Sequence, residues 1–244
     1  MNLAIDIGNT RTKLGVFDGE TLVYKETVER LTASRAKTLL YNHPAADCIL
    51  SSVSETEPAL RELLETETGF VELTADTPLP IANEYSTPKT LGKDRIAAAV
   101  GAWTLFPGET CLVIDAGTCI TCDVLLKEGI FKGGNISPGI DIRLKAMHVF
   151  TARLPLASRS DLGYWIGTST ENALQNGAQW GALWEISALI DHCENELGPV
   201  KVVVTGGDAI FFEKNLKRKI FANPDLVLAG LNKILNHYAF SRNK

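Results

Sequence analysis

Two stretches of the chain carry the same alternation of apolar and polar positions, each interrupted by a short polar turn. Residues 3–12 align with residues 112–121 and share Leu, Ile, Asp, Gly and the final Thr. In each stretch a β-branched apolar run ends in Asp-x-Gly, and the alternation resumes after the turn. A period of two predicts a strand, a tight turn and a second, antiparallel strand. The repeat therefore predicts two duplicated halves, with their boundary near Phe106.

Outside the two hairpins, helical and strand patterns alternate along the chain. Apolar residues at helical spacing predict helices, and short β-branched runs predict strands. The predicted helices are 31–41, 57–65, 94–105, 141–148, 176–197 and 230–240, the predicted strands outside the hairpins are 47–53, 69–74 and 200–205, and a Gly/Pro-rich loop is predicted at 133–139. This mixture predicts an α/β protein with two similar lobes, residues 1–106 and 107–244, and a cleft between them.

Composition and charge exclude several classes of protein. With 244 residues, 45% of them hydrophobic, the chain is long enough to bury a core and is not disordered. A net charge of −5 and scattered basic residues disfavour binding to a nucleic-acid backbone. No apolar run approaches the roughly 20 residues that cross a bilayer. The first residues include Asp6 and no basic leader, so we expect a cytoplasmic protein without a membrane partner.

The five cysteines are odd in number and lie in apolar segments. Cys119 and Cys122 match C-x-x-C, but a zinc ribbon needs a second such pair, and a redox dithiol normally begins a helix. These two residues lie in a strand-like run instead. We therefore expect free, structural thiols.

The two Asp-x-Gly turns are candidates for phosphate binding. Glycine allows close approach of a ligand to the backbone, exposed N–H groups bind phosphate oxygens, and an aspartate can face a cation. A single such turn is more often only a hairpin. Two equivalent copies favour a nucleotide site with Mg²⁺, which prefers one or two carboxylates together with phosphate oxygens. The residues concerned are Asp6, Gly8, Asn9 and Thr10 in the first copy, and Asp115, Gly117 and Thr118 in the second.

Asp94 and Arg95 form a third candidate, because they follow a proline-stiffened loop at a predicted helix start. Asp94 can be simply the N-cap or first-turn acid of that helix. Alternatively, Asp94 takes the proton of an attacking hydroxyl and Arg95 binds a carboxylate. Residues 205–208, Thr-Gly-Gly-Asp, are either a strand-ending turn or a surface for a flat ring or ribose.

Taken in order along the chain, these motifs resemble those of the type III pantothenate kinases, in the superfamily of acetate and sugar kinases, Hsp70 and actin. The motifs are Asp6-x-Gly8-Asn9-Thr10, Tyr85, Gly92-x-Asp94-Arg95, Asp115-x-Gly117-Thr118, Gly133-Gly134-x-Ile136-x-Pro138-Gly139, Thr170 and Thr205-Gly206-Gly207-Asp208. The resemblance runs nearly end to end. It implies two duplicated actin-like (ribonuclease H-like) lobes with a nucleotide cleft between them.

The resemblance also implies an activity, its cofactors and a set of site residues. The activity would be phosphorylation of pantothenate by ATP to 4′-phosphopantothenate. The enzyme would be a homodimer, in which Thr170 could act either in its own chain or from the partner chain. The implied ATP contacts are Asp6, Ile7, Gly8, Asn9, Thr10, Arg11, Thr12, Lys13 and Thr118. Asp6 would lie close to Mg²⁺, and Asp115 would bind a monovalent cation, K⁺ or NH₄⁺. The implied pantothenate site is Tyr85, Gly92, Lys93, Asp94, Arg95 and Thr170, with Asp94 as the catalytic base.

Two other functions remain open at this point. A kinase of the same superfamily for another small alcohol would carry similar hairpins, but it would not need Arg95 for a carboxylate. A non-catalytic relative with a regulatory or accessory role could lose its carboxylates. Asp6, Asp94 and Asp115 are all present, which favours an enzyme.

Overall fold

The computed structural model describes residues 1–242, and this part of the chain contains eleven β-strands and seven α-helices. The strands are β1 (Asn2–Ile7), β2 (Thr12–Asp18), β3 (Thr21–Val28), β4 (Asp47–Ser52), β5 (Gly69–Glu72), β6 (Ala82–Asn83), β7 (Cys111–Ala116), β8 (Cys119–Leu126), β9 (Ile130–Pro138), β10 (Lys201–Thr205) and β11 (Phe221–Ala222). The helices are α1 (Ala33–Asn42), α2 (Pro58–Glu67), α3 (Lys93–Leu105), α4 (Ile140–Val149), α5 (Thr170–Leu197), α6 (Ala209–Asn215) and α7 (Leu226–Arg242). None of the helices within residues 1–242 is long and apolar enough to cross a membrane.

The strands form two sheets in which the repeated hairpins take equivalent places. The five-stranded sheet has the order β3-β2-β1-β4-β5, and the six-stranded sheet has the order β11-β10-β7-β8-β9-β6. In each sheet the strand that ends in Asp-x-Gly, β1 or β7, lies between its hairpin partner and a parallel strand, β4 or β10. The duplication predicted from the sequence is therefore confirmed in the order of the strands.

The chain divides into two compact units that do not follow the repeat. The first contains Met1–Glu109, Val124–Gly133 and Asp225–Lys244, and the second contains Thr110–Asp123 and Gly134–Pro224. The C-terminal helix α7 belongs to the first unit because it packs against α3 and β1. The compact units reflect packing, whereas the lobes 1–106 and 107–244 are defined by the repeat in the sequence. These lobe boundaries therefore remain a prediction.

The core of the first unit forms where β1, β2 and β4 meet helices α1 and α2. Four consecutive residues of β1 are buried, as expected for a central strand whose two faces are both covered. Helices α1 and α2 contribute apolar residues at the spacing of one helix face. The buried residues of this cluster include Leu3, Ile5, Leu14, Val16, Ala36, Leu39, Leu50, Leu60 and Leu64.

Helix α3 is buried on nearly all sides, which sets it apart from the amphipathic helices α1 and α2. Eight of its thirteen residues are buried, and most of them are small. It begins one residue before the predicted start. Small side chains allow it to pack closely against α7.

Several elements of the structure differ from the predicted ones. The prediction of a loop at the Gly/Pro-rich segment 133–139 is wrong, because most of this segment belongs to β9 and its backbone pairs in the sheet despite its turn-forming residues. Helix α5 begins at Thr170 rather than 176, because the Ser169 hydroxyl caps it and accepts a hydrogen bond from the Asn172 N–H at 3.2 Å. Strand β3, with half-buried residues alternating with exposed ones, is absent from the predicted elements.

Candidate active site

The first Asp-x-Gly hairpin is closed by backbone pairing and a tight turn. Strands β1 and β2 are antiparallel, and Asp6 lies opposite Lys13. The Gly8 N–H donates a hydrogen bond to the Arg11 carbonyl at 3.0 Å. A Cβ atom at Gly8 would lie 3.3 Å from that same carbonyl oxygen, so the turn leaves little room for a side chain.

The tip of this hairpin is accessible, whereas the residues at its base are not. Asn9, Thr10 and Arg11 are exposed. Asp6 is only 9% exposed and Thr12 only 2%. The tip can therefore offer backbone N–H groups to a ligand, while the Thr12 side chain is turned into the protein interior.

Asp94 lies in the first turn of α3, and its carboxylate is held by the backbone. The Arg95 N–H donates a hydrogen bond to Asp94 Oδ1 at 2.9 Å. Gly92, not Asp94, is the N-cap residue of the helix, and it makes no side-chain cap. A Cβ atom at Gly92 would lie 2.5 Å from Asp94 Oδ1, so any other residue there would displace the carboxylate. The Gly-x-Asp spacing is thus required by the position of the Asp94 side chain.

Arg95 and Tyr85 come together beside this turn. The Arg95 guanidinium lies over the Tyr85 ring, 5.4 Å from its centroid, which is within cation–π range. Arg95 is only 4% exposed. The Tyr85 ring also lies next to Gly133, whose φ is +88° and where a Cβ atom would lie 2.7 Å from Tyr85 Cδ2. The predicted pantothenate residues Tyr85, Gly92, Asp94 and Arg95 therefore belong to one unit, and Tyr85 contacts Arg95.

Lys93 points toward an acidic neighbour. Its Nζ lies 3.3 Å from Glu72 Oε1, and Arg61 binds the other oxygen of the same carboxylate at 2.6 Å. Partial burial acts to raise the pKa of Glu72, but the hydrogen bonds and charges of Arg61 and Lys93 outweigh it and lower this pKa. Glu72 is consequently ionised at neutral pH and holds the Lys93 ammonium group.

In the second unit, the Thr205–Asp208 turn lies against the second Asp-x-Gly hairpin. Gly206 has a φ of +91°, and a Cβ atom there would lie 2.4 Å from Asp115 Oδ1 and 2.2 Å from the Ala116 carbonyl oxygen. The Asp208 N–H donates a hydrogen bond to that carbonyl at 2.9 Å. Two motifs far apart in sequence are thus one site, and only glycine fits at position 206.

The Gly/Pro-rich segment ends on the same hairpin. The Gly139 N–H donates a hydrogen bond to the Thr118 carbonyl at 3.1 Å, and a Cβ atom at Gly139 would lie 2.1 Å from the Gly117 carbonyl oxygen. Thr118 itself is exposed. Thr170 is also exposed, in the first turn of α5, and it belongs to this second unit.

Arg159 joins two carboxylates of the second unit and is absent from the predicted site. Its Nε and one terminal nitrogen bind the two Asp141 oxygens at 2.6 and 2.8 Å, and it also binds Asp208 Oδ2 at 3.0 Å. The hydrogen bonds that Arg159 donates to Asp141, and then those to Asp208, raise the pKa of Arg159 although partial burial opposes them. Gln175 and Gln179 of α5 bind the backbone of the flanking Ser158 and Ser160. The polar segment around Arg159 gives no sequence signal for this bridge.

We expect Arg159→Ala to lower the free energy of unfolding by about 1 kcal/mol, since its ion pairs are only partly buried. The segment between α4 and α5 should also become more sensitive to limited proteolysis. Arg159→Lys is the matched control, because lysine keeps the charge but cannot form the two-pronged contact with Asp141. If Arg159→Lys has the stability and the resistance to proteolysis of the parent, charge alone, and not this geometry, holds the segment.

The acidic residues fit a cation that is bound together with phosphate. Within residues 1–242, no group of three or more His, Cys, Asp or Glu side chains is placed to hold a metal ion. Asp6 and Asp115 each supply one carboxylate, beside a turn with exposed residues. A single carboxylate suits Mg²⁺ when nucleotide phosphates supply further oxygen ligands.

Comparisons with known proteins identify the family of this chain. The family model described as type III pantothenate kinase matches residues 2–192. Type III pantothenate kinases of Phocaeicola vulgatus and Cytophaga hutchinsonii are 42% and 41% identical, over 97% of this chain and 98% and 99% of theirs.

Solved structures show the same fold. A Campylobacter jejuni protein described as a Baf family transcriptional activator has a TM-score of 0.62 and 26% identity, over 98% of this chain and 99% of that one. The activator of 2-hydroxyisocaproyl-CoA dehydratase from Clostridium difficile has a TM-score of 0.54 and 15% identity, over 99% and 97%. The predicted two-lobed actin-like α/β fold is therefore confirmed. Because the family model covers most of the sequence and the relatives match nearly end to end, the chain belongs to the type III pantothenate kinase family.

Proposed function

We propose that Asp94 is the general base of this kinase, with Tyr85, Gly92, Lys93, Arg95 and Thr170 forming the pantothenate site. Family membership gives the overall reaction, in which ATP phosphorylates pantothenate to 4′-phosphopantothenate at the start of coenzyme A biosynthesis.

The observation that carries this proposal is the way the Asp94 carboxylate is held. Oδ1 accepts the Arg95 N–H, so Oδ2 is the oxygen that can accept a proton from the substrate hydroxyl. The absence of a side chain at Gly92 leaves the space that this orientation needs. A base fixed before the substrate arrives lowers the cost of reaching the reactive geometry.

Arg95 and Tyr85 would bind the other end of pantothenate. Arg95 is almost fully buried, so a carboxylate that reaches its guanidinium meets a poorly hydrated charge, and their attraction is stronger than in water. The Tyr85 ring restrains the guanidinium from one side. A carboxylate anchor fits pantothenate, whereas a sugar or a neutral alcohol has no such group.

The two hairpins would bind the nucleotide and its cations. Phosphoryl transfer depends mainly on positioning and on neutralising charge. The exposed tip, residues 9–11, would supply N–H groups to the phosphates, with further contacts from residues 6–13 and Thr118. Asp6 would be the protein ligand of Mg²⁺, which neutralises phosphate charge when bound. Asp115, against which Gly206 packs, would bind K⁺ or NH₄⁺.

A coupled ADP-release assay with Mg-ATP and pantothenate, in potassium and then in sodium, tests this proposal. We expect turnover that requires both pantothenate and potassium, and we expect Asp115→Asn to lose the preference for potassium. Turnover with another alcohol instead of pantothenate would indicate a different superfamily kinase. Folded protein without turnover in either salt would favour an accessory role, in line with the description of the Campylobacter jejuni protein.

We also propose that the enzyme is a homodimer that associates through an aromatic surface of the second unit. Trp184 is 52% exposed and stacks with Trp180 at 5.9 Å between ring centroids, and Trp165 and Tyr164 extend the cluster. A helix face of this kind is more often lobe core, but here Trp184 reaches the surface. Exposed aromatic clusters commonly mark protein interfaces.

The cytoplasmic location expected from the sequence stays a prediction.

Trp184→Glu is expected to convert the dimer to a monomer, because it places a charge in the middle of this apolar surface. Light scattering coupled to size exclusion measures the mass directly. Tyr41→Glu is the matched control, since Tyr41 is an aromatic residue with 86% exposure on helix α1 of the first unit. A dimer that survives Trp184→Glu would place the interface elsewhere.

A further inference from the structure

Two buried hydroxyl groups lack a hydrogen-bond partner in the described part of the chain. They are Ser51 Oγ and Thr205 Oγ1, and both residues are 0% exposed. A buried hydroxyl without a partner lowers stability, and such groups are rare in native proteins. Such a hydroxyl is explained if it gains a partner in another state of the molecule.

Both hydroxyls occupy the same place relative to an Asp-x-Gly carboxylate. In the parallel pair β1–β4, Ser51 lies opposite Asp6, and in the parallel pair β10–β7, Thr205 lies opposite Asp115. Residues in register on neighbouring parallel strands project to the same face of the sheet, with the strands about 4.8 Å apart. The internal duplication thus includes an aspartate and a buried hydroxyl on the adjacent strand.

We propose that Ser51 and Thr205 are positioning residues for the cation ligands Asp6 and Asp115. Each hydroxyl donates a hydrogen bond to the neighbouring carboxylate when that carboxylate binds its cation. This inference rests on the assignment of the two aspartates under the proposed function. Neither hydroxyl touches the reacting atoms.

The physical reason lies in when the hydrogen bond forms. A contact made only in the cation-bound state contributes to cation affinity and not to the stability of the empty protein. A hydroxyl suits this role because it can donate a proton to a carboxylate without adding charge that would repel the cation. Removing the hydroxyl should therefore weaken cation binding, but it should not lower the stability of the cation-free protein.

Ser51→Ala and Thr205→Val test the proposal, and each is the control of the other. Thermal unfolding is followed with ADP while Mg²⁺ is titrated, and separately while K⁺ replaces Na⁺. We expect both variants without cations to unfold at a temperature equal to or above that of the parent. Ser51→Ala should need about tenfold more Mg²⁺ for half-maximal stabilisation, with an unchanged K⁺ midpoint. Thr205→Val should show the reverse, and Ser51→Thr and Thr205→Ser should restore the parent midpoints.

Unchanged cation midpoints in both variants would overturn the inference, because purely structural hydroxyls would alter only the unfolding temperature. If either variant weakened the binding of Mg²⁺ and of K⁺ equally, the inference would also be overturned. Asp6→Asn and Asp115→Asn separate this failure from failure of the proposed function. If the aspartate variants shift the midpoints and the hydroxyl variants do not, only the positioning role is wrong. If the aspartate variants shift nothing, the cation assignments themselves are wrong.

Discussion

Asp94→Asn is expected to reduce kcat by about 10²–10⁴-fold, the usual contribution of a positioned general base. Asparagine has nearly the same shape, and its amide oxygen can still accept the Arg95 N–H, so the turn should keep its geometry. What is lost is the ability to take a proton from the substrate hydroxyl. Steady-state kinetics with saturating ATP and pantothenate measure the loss of kcat. Calorimetry measures nucleotide affinity separately.

The control for this variant is Asp76→Asn, an exposed aspartate outside the site. It should have the turnover of the parent. Asp94→Asn should retain nucleotide affinity and unfold at nearly the parent temperature. A folded Asp94→Asn enzyme with near-parent kcat would show that another group accepts the proton, or that transfer does not depend on a base.

The repeated hairpins are the part of the fold that the sequence predicts best. A strand ending in Asp-x-Gly has a local signature, because alternation and turn chemistry act over a few residues. Segment 133–139, for which the sequence predicts a loop, is the opposite case. Its glycines suggest a loop, but they serve close packing: a Cβ atom at Gly134 would lie 1.8 Å from the Cys122 carbonyl oxygen. The reason for such a glycine becomes visible only when the neighbouring strand is known.

In the candidate site, too, contacts between residues close in sequence are predictable, whereas contacts between distant segments are not. Gly92 and Asp94 are separated by one residue, and the geometry that links them is local. Arg159 contacts Asp141 and Asp208, which are 18 and 49 residues away in sequence. Ser51 gains significance only from its register with Asp6. A lone arginine or serine has no periodic pattern, so pairing of distant segments determines its role.

Gly230→Ala is expected to destabilise the first unit by about 3 kcal/mol, because it forces apart two closely packed helices. A Cβ atom at Gly230 of α7 would lie 1.8 Å from the Ala97 carbonyl oxygen of α3. Both partners are backbone or Cβ atoms, so rotation of a side chain cannot relieve the clash. For a chain of this size the unfolding temperature should fall by about 6–12 °C.

Gly177→Ala is the matched control, since Gly177 lies in helix α5 with no atom within 4 Å of the added Cβ. It should stabilise the protein by about 0.5–1 kcal/mol, because alanine has the higher helix propensity. Opposite signs from the same substitution would show that helix contact, not propensity, governs position 230. Equal and small effects would mean that α3 and α7 can separate without strain.

The Gly230→Ala change should also affect catalysis at temperatures where the variant is still folded. Helix α3 begins at Lys93 and carries Asp94 in its first turn. A shift of α3 away from α7 therefore moves the proposed base, and misplacement of a catalytic group by about 1 Å can cost 10²-fold in rate. We expect kcat to fall with little change in nucleotide affinity, because α3 is not part of the β1–β2 hairpin that we propose binds the phosphates. A loss of nucleotide affinity equal to the loss of kcat would instead indicate general loosening of the first unit.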